Sequence, residues 1–355
     1  MNKAFLLIGV AVTLLSACSG DQRSETSGAT GPISPWHSLT EAEVQEAAAA
    51  VMDSTDDAVV FNRISLLEPD KEQAITWQGT EPARRGADVL YRSNQQSWRA
   101  QYEFQAQRLS PATIITSGQP MLAGEEIFPV IETVNALPEV VVALEKRGVS
   151  EGNGLCLPRT VGRFFPELAD PVDARLVRFD CLNIRSQSGL EILPTTSAFA
   201  RPVEGLSILV DVDTVQVIEL SDSFAEGGAP PSDFDVMEFH EGALPTREPL
   251  SPIQIKQSKG VNFSISGSQI RWQGWQFHLR FDPRQGTILN NIGIESETGV
   301  RPVAYEIAMS EMFVPYQDPD QHWFYRAYFD MGEYGFGNMA SELKGHDCPE
   351  NAVFQ

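Results

Sequence analysis

Apolar residues first recur at helical spacing over residues 38–52, where Val44, Ala47, Val51 and Met52 share one face. Thr40 is a good N-cap, and Glu43 three residues on completes a capping box. Short apolar strands follow at Ala58 to Phe61 and Ile64 to Leu67, and residues 75–79 and 99–105 alternate weakly. Glu81 to Arg92 reads as a second helix, with Pro82 near its first position. These elements make one small α+β unit over residues 34–108.

A second such unit spans residues 109–225. Ala112 to Ile115 is β-like. Leu137 to Lys146 reads as a helix, with Pro138 at its start and Gly148 just past its end. Arg175 to Ile184 is strand material, and Leu206 to Leu220 a hairpin turning at Asp213-Thr214. Between 222 and 252, Gly227, Gly228, Pro230, Pro231, Pro245, Pro249 and Pro252 break any regular element, so residues 226–252 read as a linker. From Ile253 the pattern is all-β. Val261, Phe263 and Ile265 alternate, then Ile270 and Trp272, then Trp275, Phe277, Leu279 and Phe281, with turns at 266–268 and 282–286. On this alternation His278 faces solvent. The predicted fold class is α+β: two small α+β domains, then the first part of a large antiparallel β-sandwich over residues 253–355.

The N-terminus carries a different signal. Lys3 precedes an apolar run from Ala4 to Leu15, too short to span a bilayer of about 30 Å. Leu15-Ser16-Ala17-Cys18 reads as a bacterial lipobox, against the alternative of an ordinary secretory signal that happens to hold a Cys. Residues 1–18 are then a signal peptide with Cys18 lipidated, and residues 19–33 a flexible tether. The expectation is an exported lipoprotein, membrane-anchored on the periplasmic side. Export permits disulfides, and Cys156 and Cys181, flanking one segment, are the natural pair. Cys348 is left over: buried and free, or paired with sequence not present here.

Composition narrows the function. Hydrophobic residues are 42% and charged residues 21%, enough apolar material for cores. Lys plus Arg number 26 against 48 Asp plus Glu, a net charge of −22, which argues against binding a nucleic-acid backbone. It mildly favours cationic small molecules through long-range steering. The five histidines, His37, His240, His278, His322 and His346, form no His-X-His or HExxH, and no CxxC occurs, so local spacing proposes no metal site. Turn chemistry explains Asp213 and Asp318 better than Ca²⁺ binding by the Asp211/Asp213 and Asp318/Asp320 pairs. No GxSxG or P-loop is present. Gly332, Gly335 and Gly337 imitate a dinucleotide fingerprint without the flanking strand and helix.

Three stretches carry a specific resemblance: residues 272–284 (WQGWQFHLRFDPR), 312–320 (MFVPYQDPD) and 327–337 (AYFDMGEYGFG). They resemble the copper-containing primary-amine oxidases, whose cofactor is topaquinone. The N-terminal half is similar to the two small domains that precede the catalytic sandwich there, with Leu209-Val210-Asp211-Val212-Asp213 and Lys146-Arg147-Gly148-Val149 as weaker support. The resemblance implies oxidative deamination of a primary amine to aldehyde, ammonia and hydrogen peroxide, by a homodimer. It implies that Asp330 is the catalytic base, a carboxylate whose pKa rises in a low-dielectric pocket. Tyr316 would hydrogen-bond the quinone, and Tyr328, two residues before Asp330, would be the channel gate. Alternation on a strand would point Tyr328 and Asp330 into one cavity.

Two departures limit what the resemblance implies. The family's cofactor precursor is the Tyr of an Asn-Tyr-Asp/Glu motif, and none of tyrosines 91, 102, 305, 316, 325, 328 and 334 follows an Asn. The copper-binding His-X-His is missing too. In the family both lie beyond the position of Gln355, and Cys348 resembles a Cys that pairs with a later one. Neither copper nor topaquinone is expected in this chain, and the chain by itself is expected not to oxidise amines. The sheet reads as unfinished. Two expectations follow: a truncated amine oxidase, or a non-enzymatic exported lipoprotein that keeps these domains as an interaction module.

Overall fold

A computed structural model describes residues 32–161, 174–185, 197–232, 258–316, 323 and 326–337, together with 245, 247, 248 and 251. The signal peptide, Cys18, most of the tether and of the expected linker, Asp318, Asp320 and Cys348 lie outside the described residues.

The first unit is a helix on an antiparallel sheet. Helix α1 (Glu41–Met52) starts where the sequence places it: the Thr40 side chain accepts from the Glu43 amide, and Glu43 accepts from the Thr40 amide at 2.8 Å. Strands β1 (Val60–Leu66), β2 (Gly86–Ser93), β3 (Gln96–Glu103) and β4 (Arg108–Leu109) lie in that order, and β5 (Thr113–Ile114) pairs with β3. Ala47 and Val51 of α1 bury against Ala87, Val89 and Tyr91 of β2 and Ala100 and Tyr102 of β3.

The expected helix over 81–92 is a strand instead. Helix α2 lies earlier (Lys71–Thr76), capped by Asp70. Ala87, Val89 and Tyr91 alternate with period two, which outweighs the helical reading. A tight turn with Asn94 and Gln95 both at positive φ then folds β2 onto β3. Gly86 is required at the far end of this pairing, because a Cβ would sit 2.8 Å from the Tyr102 carbonyl oxygen.

The second unit packs helices α3 (Gly124–Asn135) and α4 (Pro138–Glu145) on a meander of β6 (Gly154–Thr160), β7 (Leu176–Asn183), β8 (Leu206–Asp211) and β9 (Gln216–Asp222). Ile127, Val130, Ile131 and Val134 give α3 an apolar face at helical spacing, although Pro129 lies inside it and reads as a breaker in sequence. Val177, Phe179, Ile208 and Val210 form the sheet's side of this core. Cys156 and Cys181 are register partners and form a disulfide between β6 and β7.

The two units are joined by buried charge. Arg92 of β2 donates to both Asp213 oxygens at 2.5 Å, and Arg92 and Arg175 both pair with Glu126 of α3. Asn62 of β1 also donates to Glu126, at 2.6 Å. Removing one partner of such a network strands the others, at about 3–5 kcal/mol.

The third region is a meander of β10 (Phe263–Ser266), β11 (Gln269–Trp272), β12 (Trp275–Asp282), β13 (Gly286–Ser296) and β14 (Gly299–Ala308), followed by a hairpin of β15 (Phe313–Pro315) and β16 (Ala327–Phe329). The polarity of β12 is reversed relative to the sequence expectation. His278 is buried, not solvent-facing, and Arg280 and Asp282 are buried beside it, while Phe281 is half exposed. A register shift between Gln276 and His278 marks the site. The inward polar groups satisfy one another. Arg280 donates to Asn290 at 2.9 Å and to Glu306 at 3.2 Å. The His278 Nδ1 lies 2.9 Å from the Ser268 hydroxyl and 3.3 Å from that of Ser34, and its ring packs on Trp36 at 4.6 Å. Burial without a charged partner pushes the imidazole down to about 4, so it is neutral at pH 7.

Residues 34–38 therefore clamp the meander to the first unit. Trp36 is 2% exposed. The Ser38 hydroxyl bonds the Phe281 backbone, and Arg85 holds the carbonyls of Ser34, His37 and Ser38 while pairing with Glu43.

Candidate active site

The β15–β16 hairpin carries the residues that the sequence singles out. Val314 faces Tyr328 in register, and the Tyr316 amide donates to the Arg326 carbonyl at 3.0 Å. This brings Tyr316 and Tyr328 edge to face, with ring centroids 5.9 Å apart. Trp323 lies against Tyr316 at 5.5 Å, and the Arg326 guanidinium sits 3.8 Å over the Trp323 ring. Each aromatic contact of this kind contributes about 0.5–1.5 kcal/mol beyond burial.

The hairpin rests on the second unit. Asp180 of β7 accepts from the Arg159 Nε at 2.6 Å and pairs with the Arg326 Nε at 3.2 Å. The Tyr328 hydroxyl donates to the same carboxylate oxygen at 3.4 Å. The Trp323 indole donates to Glu204 at 2.7 Å. Burial, and then the Asp180 charge, push the Tyr328 phenol up to about 12, so at pH 7 it remains a neutral donor.

The segment after β16 is docked on both sides. Glu333 is buried and accepts from the backbone amides of Thr160 in β6 and Phe329 in β16. Burial raises its pKa against the pull of those bonds. The Tyr334 hydroxyl donates to the Pro158 carbonyl. On the other side, Arg284 pairs with Glu311, which also accepts from the Met331 amide at 3.1 Å. Gly332 leaves room for that guanidinium: a Cβ there would overlap Arg284 Nη1. Asp330 follows β16 directly, its amide bonded to the Met312 carbonyl at 2.9 Å.

Tyr316 and Tyr328 thus come together. Asp330 does not sit with them in an enclosed pocket. It lies in the turn past the strand end and is exposed, so the described residues do not provide the low-dielectric surroundings expected for it. Sequence reasoning missed Asp180, Arg159 and Glu204 as supports. Asp180 stands where alternation with Phe179 and Cys181 predicts an outward polar residue, and nothing local marks its partner. Glu333 was visible only as a member of the resembling stretch, and Arg326 lies one residue before it.

The architecture is that of the N-terminal and early catalytic domains of copper amine oxidases. Three models of that family match: the copper amine oxidase N2 domain over residues 34–115, the N3 domain over 125–230 and the enzyme domain over 264–355. The chain belongs to the copper amine oxidase family. Among its relatives, the primary amine oxidase of Klebsiella aerogenes is 31% identical over 328 residues, covering 90% of this chain and 42% of that protein. Copper-containing amine oxidase gamma 2 of Arabidopsis thaliana is 29% identical over 306 residues, covering 84% and 42%. The crystal structure of a copper-containing benzylamine oxidase from Hansenula polymorpha shares the fold with a TM-score of 0.71 at 23% identity, covering 86% of this chain and 49% of that one. The chain spans less than half the length of these relatives.

Proposed function

We propose that this chain carries the substrate-side residues of a copper- and topaquinone-dependent primary-amine oxidase, which converts a primary amine, oxygen and water to aldehyde, ammonia and hydrogen peroxide as a homodimer. The observation that carries this reading is the pairing of Tyr328 with Tyr316, within the enzyme-domain match, on a support built from the second small unit. In it Asp330 is the base, Tyr316 the hydrogen-bond partner of the quinone and Tyr328 the gate.

The sequence has no His-X-His. No step is therefore routed through metal or quinone. What the chain's own residues do is narrower. Tyr328, a neutral phenol at pH 7, keeps its hydroxyl on Asp180. Tyr316 and Trp323 line the approach with aromatic surface. The net charge of −22 raises the local concentration of a cationic amine.

We further propose export, with anchoring by a lipid on Cys18. A second reading, a non-enzymatic exported interaction module, draws on the half-exposed Phe281, Ile307 and Trp272, since open apolar surface marks partner sites.

The deciding experiment is to sequence the DNA beyond codon 355 in the source strain and assay the products. An Asn-Tyr-Asp/Glu stretch and a His-X-His pair downstream are expected. In that longer protein Asp330→Asn should lower kcat by about 10²–10⁴-fold at unchanged copper content. Unrelated sequence after a clean stop would favour the interaction module. The 355-residue chain alone should release no peroxide from a primary amine, and peroxide from it would overturn the assignment of the cofactor residues.

A further inference from the structure

The gate of an oxidase channel has to be held in one rotamer often enough to matter, and the hairpin alone does not supply that hold. Tyr316 is half exposed, and Tyr328 lies on a strand of three residues. The fixed point near Tyr328 is Asp180, in the middle of β7, one residue from the disulfide and with its side chain 9% exposed. The same carboxylate oxygen meets Arg159, Arg326 and Tyr328. The contacts form a closed ring: Asp180 to Tyr328, Tyr328 to Tyr316, Tyr316 to Trp323, Trp323 to Arg326, and Arg326 back to Asp180.

We infer that Asp180 is a positioning residue for Tyr328: from the second small unit it fixes both ends of the aromatic ring of contacts, so that this unit sets the state of the gate. The inference rests on the reading of Tyr328 as a gate. Asp180 does not touch reacting atoms in it. It acts through the Tyr328 hydroxyl directly and through Arg326, which stacks on Trp323. The charge of Asp180 also opposes ionisation of the phenol.

Nitration by tetranitromethane at pH 8 tests this on the 355-residue chain without metal or quinone, because the reagent attacks phenolate that it can reach. Peptide mapping gives the rate at each tyrosine in one sample. In the unaltered chain Tyr316 should react and Tyr328 should be spared. In Asp180→Asn the Tyr328 rate relative to Tyr316 should rise about tenfold, as the phenol loses both its anchor and the charge that opposes its ionisation. Tyr91 and Tyr102, buried in the first unit, should not change. A Tyr328 rate equal to that of the unaltered chain, or one that rises together with Tyr91 and Tyr102, would overturn the inference.

Asp180→Asn leaves two buried guanidinium groups facing a neutral amide. If it loses its far-UV circular dichroism, Asp180→Asn/Arg159→Gln removes opposite charges together and is read in the same way. Peroxide assays of the longer protein report on the oxidase reading separately. Loss of that reading with Tyr328 still released by Asp180→Asn would leave the anchor standing and remove only its role as a gate support.

Discussion

The second small unit and the β10–β14 meander are both antiparallel sheets built from alternating strands, yet they bury different mixtures of side chains. In the second unit the apolar side of the sheet, Val177, Phe179, Ile208 and Val210, meets α3 and α4. In the meander, His278, Arg280 and Asn290 are buried together with Ile288 and Ile292, while Phe281 and Ile307 stay half exposed. The difference teaches that alternation fixes which residues share a face, not which face is covered. Inward polar side chains are tolerated in the meander because each has a partner: Ser34 and Ser268 for His278, Asn290 and Glu306 for Arg280.

The contrast can be broken most strongly in the second unit. Phe179→Ala empties a fully buried site and should cost about 3–5 kcal/mol. It should be read as lost amide-exchange protection in β7 and β8, by roughly 10²–10⁴-fold. Protection in β12 that fell as far would show that the two regions unfold as one.

The next effect belongs to the meander and depends on pH. The His278 pKa falls from 6.5 to about 4 on folding, so the unfolded chain binds the proton more tightly. Stability from this site is complete above pH 6.5 and is lost as pH falls towards 4, by at most about 3 kcal/mol. Exchange protection of β12 should fall over that window while protection in β7 holds. In His278→Asn the added pH dependence of β12 should vanish, and its persistence would mean that carboxylates cause it.

The smallest effect sharpens the same point. Phe281→Thr, on the open side of β12, should change stability by no more than about 0.5 kcal/mol. A loss of 2 kcal/mol or more would show that this face is covered in solution.

Legibility in the sequence followed locality. The α1 capping box needs only Thr40 and Glu43, and the Asp213-Thr214 turn needs only its own residues, so both were readable. Cys156 and Cys181 stood out because of the compartment that the N-terminus implied. The strand over 86–93 was misread because the helix reading of 81–92 rested on Pro82 near a first position, while the strand's period-two pattern is fixed by its partner β3. Helix α3 has no counterpart among the elements read from the sequence, although Ile127, Val130, Ile131 and Val134 recur at helical spacing. The burial of His278 depends on Trp36 and Ser34, and Asp180 finds Tyr328 148 positions away. No local pattern encodes such pairings.

The clamp of residues 34–38 has a consequence in time. Ser34 and His278 are 244 positions apart, so Trp36 lacks its His278 contact until the meander has been made. At about 5–20 residues per second, that interval is about 10–50 s of synthesis. Throughout it, the first unit can close its own sheet with an indole still waiting. A slow final docking phase, reported by Trp36 fluorescence, is the kinetic signature this order of events should leave.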